Sequence, residues 1–365
     1  MLMQYDIDIF PDSYSIARER FLMLCAGLPG KLRAFRHPTE KYHNYPLTTD
    51  IFWLGPEEAT KILIVVSATH GVEGFCGSAA QANWLQHVML PTNDVAILFI
   101  HALNPFGFAH LRRVNENNID LNRNFIDFTA HLPDNNGYQE LASVLLPEYW
   151  NDELNQIAQE KIHAYQVRYG RSLTEQAISG GQYQFPDGLF YGGSEPAWSH
   201  LVIKTIIADY RLTQRNQVIV VDIHSGLGPY GYGEIISDHA PRSPGAQLAK
   251  LLFGDSVTEP LCGTSTSVPK FGLLDYVWHA AFGENGCFVT LEFGTYSVDE
   301  MFAILREENY YWQEFNRDKI DAEQMDAVSL RLRNYFYPDK TDWKEMILFR
   351  SEQVLTQALT GLCAY

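Results

Sequence analysis

Four separate stretches of the sequence are continuously apolar and rich in β-branched residues, a pattern typical of strands buried on both faces of a sheet. They begin at Lys61, Asp94, Gln217 and Cys287. Residues 78–90 have a helical pattern, so strand, helix and strand follow one another within about 40 residues, which implies a parallel strand pair. The sequence therefore predicts an α/β fold, with three αβα layers and a central mixed, mostly parallel sheet.

The remaining segments predict how one domain is organised over residues 1–365. Residues 1–50 are expected to be a polar N-terminal extension with one helix, which starts near the cap-like Ser13. Residues 127–191 turn polar and contain Pro, Asn and Gly between helical stretches, so we expect an insertion at the rim of the sheet. Residues 300–365 are predicted to be C-terminal helices.

The charge and cysteine content exclude several classes of protein. The sequence has 27 Lys and Arg against 44 Asp and Glu, a formal net charge of −17. This charge repels phosphate backbones and anionic lipid, so neither nucleic acid nor a membrane is expected as a partner. The five cysteines form no CxxC pair, and the acidic start of the chain is unlike a signal peptide. We therefore expect a cytoplasmic enzyme, whose oligomeric state the sequence does not indicate.

Residues suited to metal binding stand at three of the predicted strands. His70 and Glu73 follow the first strand, His224 stands at the end of the third, and Glu292 lies in the fourth. Ligands of open α/β sheets bind beyond the carboxyl ends of the strands. Two His and one carboxylate form the usual catalytic zinc shell, which leaves one position for water. HxxE alone often arises by chance, so the prediction of one Zn²⁺ site depends on the three strands together, and iron or manganese use the same ligands.

A loop after the second strand is unusually rich in arginine. Residues 104–125 contain Arg112, Arg113, Asn122 and Arg123. The forked guanidinium group suits carboxylate binding and the stabilisation of a developing oxyanion. A solvated polar loop is the ordinary explanation for isolated arginines, but the density here favours a binding surface.

Five motifs, in this order along the chain, resemble those of the zinc carboxypeptidase (carboxypeptidase A-like) superfamily. They are His70-x-x-Glu73, Asn104-Pro, Asp120-Leu-Asn-Arg-Asn-Phe125, Asp222-Ile-His224 and Leu291-Glu292-Phe. The stretches SATHGVEGFCGS and RRVNENNIDLNRNF look most like a bacterial branch of uncharacterised proteins in that superfamily. The resemblance covers about residues 60 to 300. It implies a zinc carboxypeptidase-like, or phosphorylase/hydrolase-like, fold with a single catalytic domain.

The resemblance also implies catalytic roles at the matching positions. His70, Glu73 and His224 would bind one Zn²⁺, and Glu292 would be the general base that activates the water at the metal. Arg113 would stabilise the tetrahedral oxyanion. The adjacent Arg112 is a rival for that role or a further substrate-binding residue.

Further implied roles concern the substrate and the orientation of one ligand. Asn122 and Arg123 would hold the terminal carboxylate of the substrate. Asp120 would accept a hydrogen bond from the outer nitrogen of His70 and thereby fix its tautomer. The family's substrate-capping tyrosine has a candidate in Tyr276. The rivals for that position are Tyr230 and Tyr232.

These roles predict a zinc-dependent metallopeptidase, or metallocarboxypeptidase-like hydrolase, that cleaves a peptide or amide bond near a free carboxylate. The substrate would be a small peptide or an acylated amino acid. Val72 stands where zinc carboxypeptidases commonly carry an arginine, so amide hydrolysis has better support than removal of a C-terminal residue. An N-acyl amino acid deacylase of the aspartoacylase/succinylglutamate desuccinylase type is the alternative, because it shares HxxE, DLNR and the later His.

Two functions of other classes have less support. Gly226 to Gly231 reads G-x-G-x-x-G, but Pro229 suits a loop better than the helix start that a dinucleotide site needs. A non-catalytic binding module would be expected to lack a metal ligand or the base, yet all four residues are present. The loop-rich residues 226–285 should build the floor of the substrate pocket, where Asp238-His239 could touch the substrate although no motif fixes it there.

Overall fold

A computed structural model of the protein describes residues 5–42, 45–89 and 94–364. Within these residues eight strands form one sheet. They are β1 (Gly30–Tyr42), β2 (Tyr45–Leu54), β3 (Lys61–Ser67), β4 (Val95–His101), β5 (Gln217–Tyr230), β6 (Gly233–Ile236), β7 (Val257–Thr258) and β8 (Gly286–Gly294).

The sheet has a parallel centre and antiparallel additions on both sides. Its strand order is β1-β2-β4-β3-β5-β8-β6-β7. The four strands predicted from apolar stretches, β3, β4, β5 and β8, pair in parallel with their neighbours at the centre. β2 pairs antiparallel with β4 and with β1, whereas β6 pairs antiparallel with β8 and parallel with β7. The predicted α/β fold with a mixed, mostly parallel sheet is confirmed.

Helices cover both faces of this sheet. They are α1 (Tyr14–Ala26), α2 (Gly74–His87), α3 (Pro105–Ala109), α4 (Asn136–Leu145), α5 (Asp152–Tyr169), α6 (Arg171–Ser179), α7 (Trp198–Asp209), α8 (Pro244–Phe253), α9 (Asp275–Phe282), α10 (Val298–Asn316), α11 (Ala322–Phe336) and α12 (Thr341–Ala364). Successive side chains of β3 point to opposite faces. Ile62 and Ile64 pack in one core with α7 and α9, and Leu63 and Val65 pack in the other with α1, α2, α8 and α12. The three predicted layers are therefore present.

The N-terminal segment is more ordered than the sequence predicted. The expected helix exists as α1, and the Oγ atom of Ser13 caps it by accepting a hydrogen bond from the Ile16 amide. The expectation of a polar extension was wrong, because β1 and β2 continue the sheet beyond β4. β1 is an edge strand whose Lys31, Arg33 and Arg36 are exposed, so it lacks the apolar signal of the central strands.

The other predicted segments have helices where they were expected. α4, α5 and α6 lie within residues 127–191, and α10, α11 and α12 fill most of residues 300–365. A shared apolar cluster joins this insertion to α10 and α11. The helix predicted over residues 78–90 is α2, which begins earlier, and Leu90 lies outside the described residues.

None of the described helices is long and apolar enough to cross a membrane. The organisation as one domain remains a prediction.

Candidate metal and catalytic site

Three side chains converge at the carboxyl end of β3, beside the middle of β5. His70 and Glu73 lie on the turn that leads from β3 into α2, and His224 lies on the adjacent β5. The Nδ1 atom of His70 is 2.8 Å from Oε1 of Glu73, and Nδ1 of His224 is 2.9 Å from Oε2 of the same carboxylate. The two Nδ1 atoms are 3.2 Å apart. One possible metal-ligand atom from each of the three side chains therefore faces a common point.

The turn that carries His70 and Glu73 depends on tight backbone packing. Ala68 has a φ of 57°, in the left-handed region, and redirects the chain as it leaves β3. A Cβ atom on Gly71 would lie 2.1 Å from the carbonyl carbon of Gly107. Glycine is therefore required at position 71 because α3 packs directly against the turn.

The three side chains have the chemistry and spacing of a zinc site. Their ligand atoms all lie within 4.8 Å of one another, and all three residues are buried. Ligands about 2.1 Å from a tetrahedral ion are roughly 3.4 Å apart, close to the distances between these atoms. Two imidazole nitrogens and a carboxylate are typical zinc ligands, so the residues fit the predicted ion.

Each histidine has a buried carboxylate at its outer nitrogen. Nε2 of His70 is 3.0 Å from Oδ1 of Asp120, and Nε2 of His224 is 2.6 Å from Oδ2 of Asp222. Thr69 donates a hydrogen bond to Asp222 from its hydroxyl. Such partners place the proton on Nε2 and leave Nδ1 to bind a metal. Asp222 was part of a motif but was not assigned a role from the sequence, although residues i and i+2 of a strand share a face.

The charges in this cluster are strongly coupled. Burial opposes ionisation of His224, yet Asp222 and Glu73 together raise its pKa well above the usual value. Burial likewise opposes ionisation of Glu73, but the two histidines lower the pKa of its carboxyl. The positive charges of Arg113 and His70 outweigh burial and hold the pKa of Asp120 well below its usual range. The carboxylates of Glu73 and Asp120 are therefore anionic.

Glu292 lies beside the cluster on β8. Its Cα atom pairs with that of His224 in the parallel register of β5 and β8. The amide of Leu227 donates a 3.0 Å hydrogen bond to Oε1 of Glu292. Burial, followed by the negative charge of Glu73, raises the pKa of Glu292 to about 7. Its carboxyl can therefore both accept and release a proton near neutral pH.

The two adjacent arginines of the loop have different environments. Arg113 donates hydrogen bonds to Oε1 of Glu73 at 2.9 Å and to Oδ2 of Asp120 at 3.1 Å. Arg112 instead forms a buried salt bridge with Glu308 at 2.5 Å, and its guanidinium lies 4.1 Å from the ring centre of Trp312. The structure therefore brings Arg113 into the site and places Arg112 outside it.

Asn122 and Arg123 also reach the site. Oδ1 of Asn122 accepts a 2.8 Å hydrogen bond from the amide of Leu274, which leaves the side-chain NH₂ group available. Arg123 donates two hydrogen bonds to the carbonyl of Ser179, on α6 of the insertion. The insertion therefore fixes the orientation of a guanidinium group in the site.

A cavity of about 670 Å³, counted to its open mouth, contains these groups. Its polar and charged lining includes His70, Glu73, Arg113, Asn122, Arg123, Glu175, His224, Asp238, Lys270 and Glu292. Tyr276 lies outside the cavity, with its hydroxyl bonded to the carbonyl of Lys270, and neither Tyr230 nor Tyr232 lines it. Among the described residues no tyrosine contributes to the lining.

The apparent dinucleotide motif has no helix to support it. β5 continues to Tyr230 and β6 begins at Gly233, so the motif from Gly226 ends β5 and its last residue, Gly231, lies in the turn between the two strands. A phosphate-binding glycine motif needs a helix N-terminus directly after the strand. This segment therefore does not form that site.

The chain belongs to the family described as "Protein of unknown function (DUF2817)", whose model matches residues 10–350. This agrees with the uncharacterised branch that the motifs resemble. A comparison with curated proteins finds no match.

Solved structures with a similar arrangement include carboxypeptidases. Carboxypeptidase A from Helicoverpa armigera is 13% identical with a TM-score of 0.45, and the match covers 90% of this chain and 75% of that one. A metallo-carboxypeptidase from Burkholderia cenocepacia is 15% identical with a TM-score of 0.41, over 76% and 59%. Bovine thrombin-activatable fibrinolysis inhibitor is 10% identical with a TM-score of 0.47, over 98% of each chain. These likenesses concern the fold alone.

Proposed function

We propose that this protein is a zinc-dependent hydrolase that cleaves a peptide or amide bond close to a free carboxylate. The observation that carries the proposal is the convergence of His70, Glu73 and His224 beside Glu292 in one cavity. When bound by these three residues, zinc would polarise a carbonyl group and lower the pKa of water.

Glu292 is assigned the proton transfers. It lies on β8 opposite His224, and its carboxyl has a pKa of about 7 because of burial and the charge of Glu73. In this role Glu292 accepts a proton from the attacking water and delivers it to the leaving amine. The amide of Leu227 holds one carboxylate oxygen in place and leaves the other free to move the proton.

Arg113 is assigned to the oxyanion that develops on the attacked carbonyl. Its guanidinium is oriented by Glu73 and Asp120 and lines the cavity. A donor fixed in this way stabilises negative charge without reorganisation during the reaction. Arg112 is not part of this proposal, because Glu308 and Trp312 hold it elsewhere.

Asn122 and Arg123 are assigned to the substrate's free carboxylate. The NH₂ group of Asn122 is available, and the hydrogen bonds of Arg123 go to neutral backbone carbonyls. The positive charge of Arg123 is thus not neutralised by a salt bridge within the described part of the chain. A carboxylate would complete this pair of donors.

The proposal is tested on the purified full-length chain after treatment with a chelator. Blocked dipeptides, N-acyl amino acids and γ-glutamyl amides are assayed with and without added Zn²⁺, with Glu292→Gln as the matched control. We expect hydrolysis that requires the metal and is lost in Glu292→Gln. Cleavage confined to N-acyl amino acids would identify the deacylase alternative. Failure of the zinc-loaded protein to cleave any of these amides would contradict the proposal.

A further inference from the structure

One residue of the cavity lining has an unfavourable backbone conformation. Phe190 has a φ of 53°, in the left-handed region that bulky residues rarely adopt. The Gln182 amide donates a 3.1 Å hydrogen bond to the Phe190 carbonyl. The Asp120 amide donates a 2.8 Å hydrogen bond to the carbonyl of the next residue, Tyr191, so the backbone is held on both sides. Strain of this kind clusters at functional sites, which indicates that the Phe190 side chain has a role in the cavity.

The ring of Phe190 lies beside two arginines of the site. Its centre is 5.4 Å from the guanidinium carbon of Arg113 and 5.6 Å from that of Arg123. Both distances are in the range of a cation–π interaction, in which the negative face of an aromatic ring attracts a cation. Phe302 packs at a right angle to this ring, with centres 6.2 Å apart, and fixes its orientation. Because Phe190 is only 3% exposed, water screens these contacts little.

The two arginines carry like charges at one site. Burial lowers the pKa of Arg123, and the negative charge of Asp120 opposes this effect whereas the positive charge of Arg113 adds to it. An aromatic face attracts both guanidinium groups without accepting hydrogen bonds along their N–H directions. It therefore stabilises the two cations while it leaves their N–H donors available to a substrate.

We propose that Phe190 is a positioning residue, whose ring holds the guanidinium groups of Arg113 and Arg123 toward the cavity. One of them would then meet the developing oxyanion and the other the substrate's carboxylate. This inference rests on the proposed function, which gives the two arginines these roles. Phe190 lies in the insertion over residues 127–191, so the insertion supplies part of the site itself.

The test compares Phe190→Leu, which keeps an apolar side chain without an aromatic face, with Phe190→Tyr, which keeps the face. Calorimetry measures binding of N-acetyl-alanyl-alanine and of its C-terminal amide to the zinc-loaded, full-length chain that also carries Glu292→Gln, so the result does not depend on turnover. We expect Phe190→Leu to lower the affinity ratio of the acid over the amide about tenfold, through Arg123. Phe190→Tyr should recover most of that ratio.

Steady-state kinetics in the chain with an intact Glu292 test the effect on Arg113. Phe190→Leu should lower kcat about tenfold for the acid and for the amide alike, and Phe190→Tyr should recover most of it. Phe190→Met is a second variant without an aromatic face, for use if Phe190→Leu does not fold.

Phe185→Leu is the matched control. Phe185 lies on the same segment, but its ring packs on Tyr138 and does not line the cavity, so the affinity ratio and kcat should be retained. Equal losses in Phe190→Leu and Phe190→Tyr, or a loss in Phe185→Leu as large as in Phe190→Leu, would overturn the inference. Hydrolysis that no Phe190 variant changes would refute the inference alone. A lowered affinity ratio in Phe190→Leu without hydrolysis by any chain would refute the proposed function alone.

Discussion

Nε2 of His224 lies 2.6 Å from Oδ2 of Asp222, and both side chains project from the same face of β5. Nδ1 of the same imidazole is consequently turned toward Glu73 and His70. Asp222 therefore determines which nitrogen of His224 is available to a metal ion, although it does not reach the cavity itself.

Replacement of Asp222 by Asn should weaken metal binding. The amide NH₂ group would face Nε2 of His224 as a donor and favour the tautomer that carries its proton on Nδ1. Loss of such an outer partner typically lowers metal affinity by about 10- to 100-fold. Competition with a chelator of known affinity measures the change. Asp94→Asn, on an exposed residue that bonds Thr60, serves as the control, and equal affinities in both variants would refute the role of Asp222.

Arg113→Lys should lower kcat by about 10²- to 10³-fold, as is usual for loss of an oxyanion donor. The planar guanidinium of Arg113 bonds Glu73 and Asp120 through separate nitrogen atoms. The single ammonium group of lysine cannot reproduce both contacts in this geometry. Steady-state kinetics and metal analysis on the same preparations separate this effect from loss of the ion. Arg112→Lys is the neighbouring control, and a large kcat loss there with none in Arg113→Lys would reverse the assignment.

Arg112→Met should destabilise the fold instead. It leaves the Glu308 carboxylate buried without its salt-bridge partner, a change that costs about 3–5 kcal/mol. Urea unfolding measures the difference in the free energy of unfolding. The double variant Arg112→Met/Glu308→Gln removes the uncompensated charge and should recover part of the loss. If Arg112→Met alone is as stable as the wild type, the buried ion pair is not structural.

Glu292 should make the stability of the metal-free protein depend on pH. Its pKa rises from 4.5 to about 7 in the folded state, through burial and then the charge of Glu73. Between pH 4.5 and about 7 the folded state keeps a proton on Glu292 that the unfolded state has released. The stabilisation that comes from protonated Glu292 is therefore fully present below pH 4.5 and is lost as the pH rises toward 7. Unfolding of the wild type and of Glu292→Gln is compared across this range. A stability difference that is constant with pH would contradict the raised pKa.

The convergence of the candidate metal ligands could be predicted because strand ends are recognisable in the sequence. Continuous apolar runs locate β3, β5 and β8, and the carboxyl ends of parallel strands meet at one edge. His70, Glu73 and His224 therefore had to lie near one another once the strands were paired. The same reasoning failed for β1, because an edge strand exposes one side to water and needs no apolar run.

Side-chain directions in loops could not be predicted. Arg112 and Arg113 are adjacent and chemically identical, and only the path of the loop decides which one pairs with Glu308. Lys270 and Glu175 lie on a loop and on the insertion, where no periodicity relates them to the strands. Asp238 lies in a variable loop that no motif fixes near the substrate, and its place in the cavity lining depends on packing that the sequence does not encode locally.

The central claim is that His70, Glu73 and His224 hold one zinc ion. Anomalous diffraction at the zinc absorption edge, from crystals of the zinc-loaded protein, tests it most directly. We expect one strong peak about 2.0–2.2 Å from Nδ1 of both histidines and from a carboxylate oxygen of Glu73. Fully loaded crystals with no peak at these three side chains, or with the ion bound elsewhere, would contradict the account.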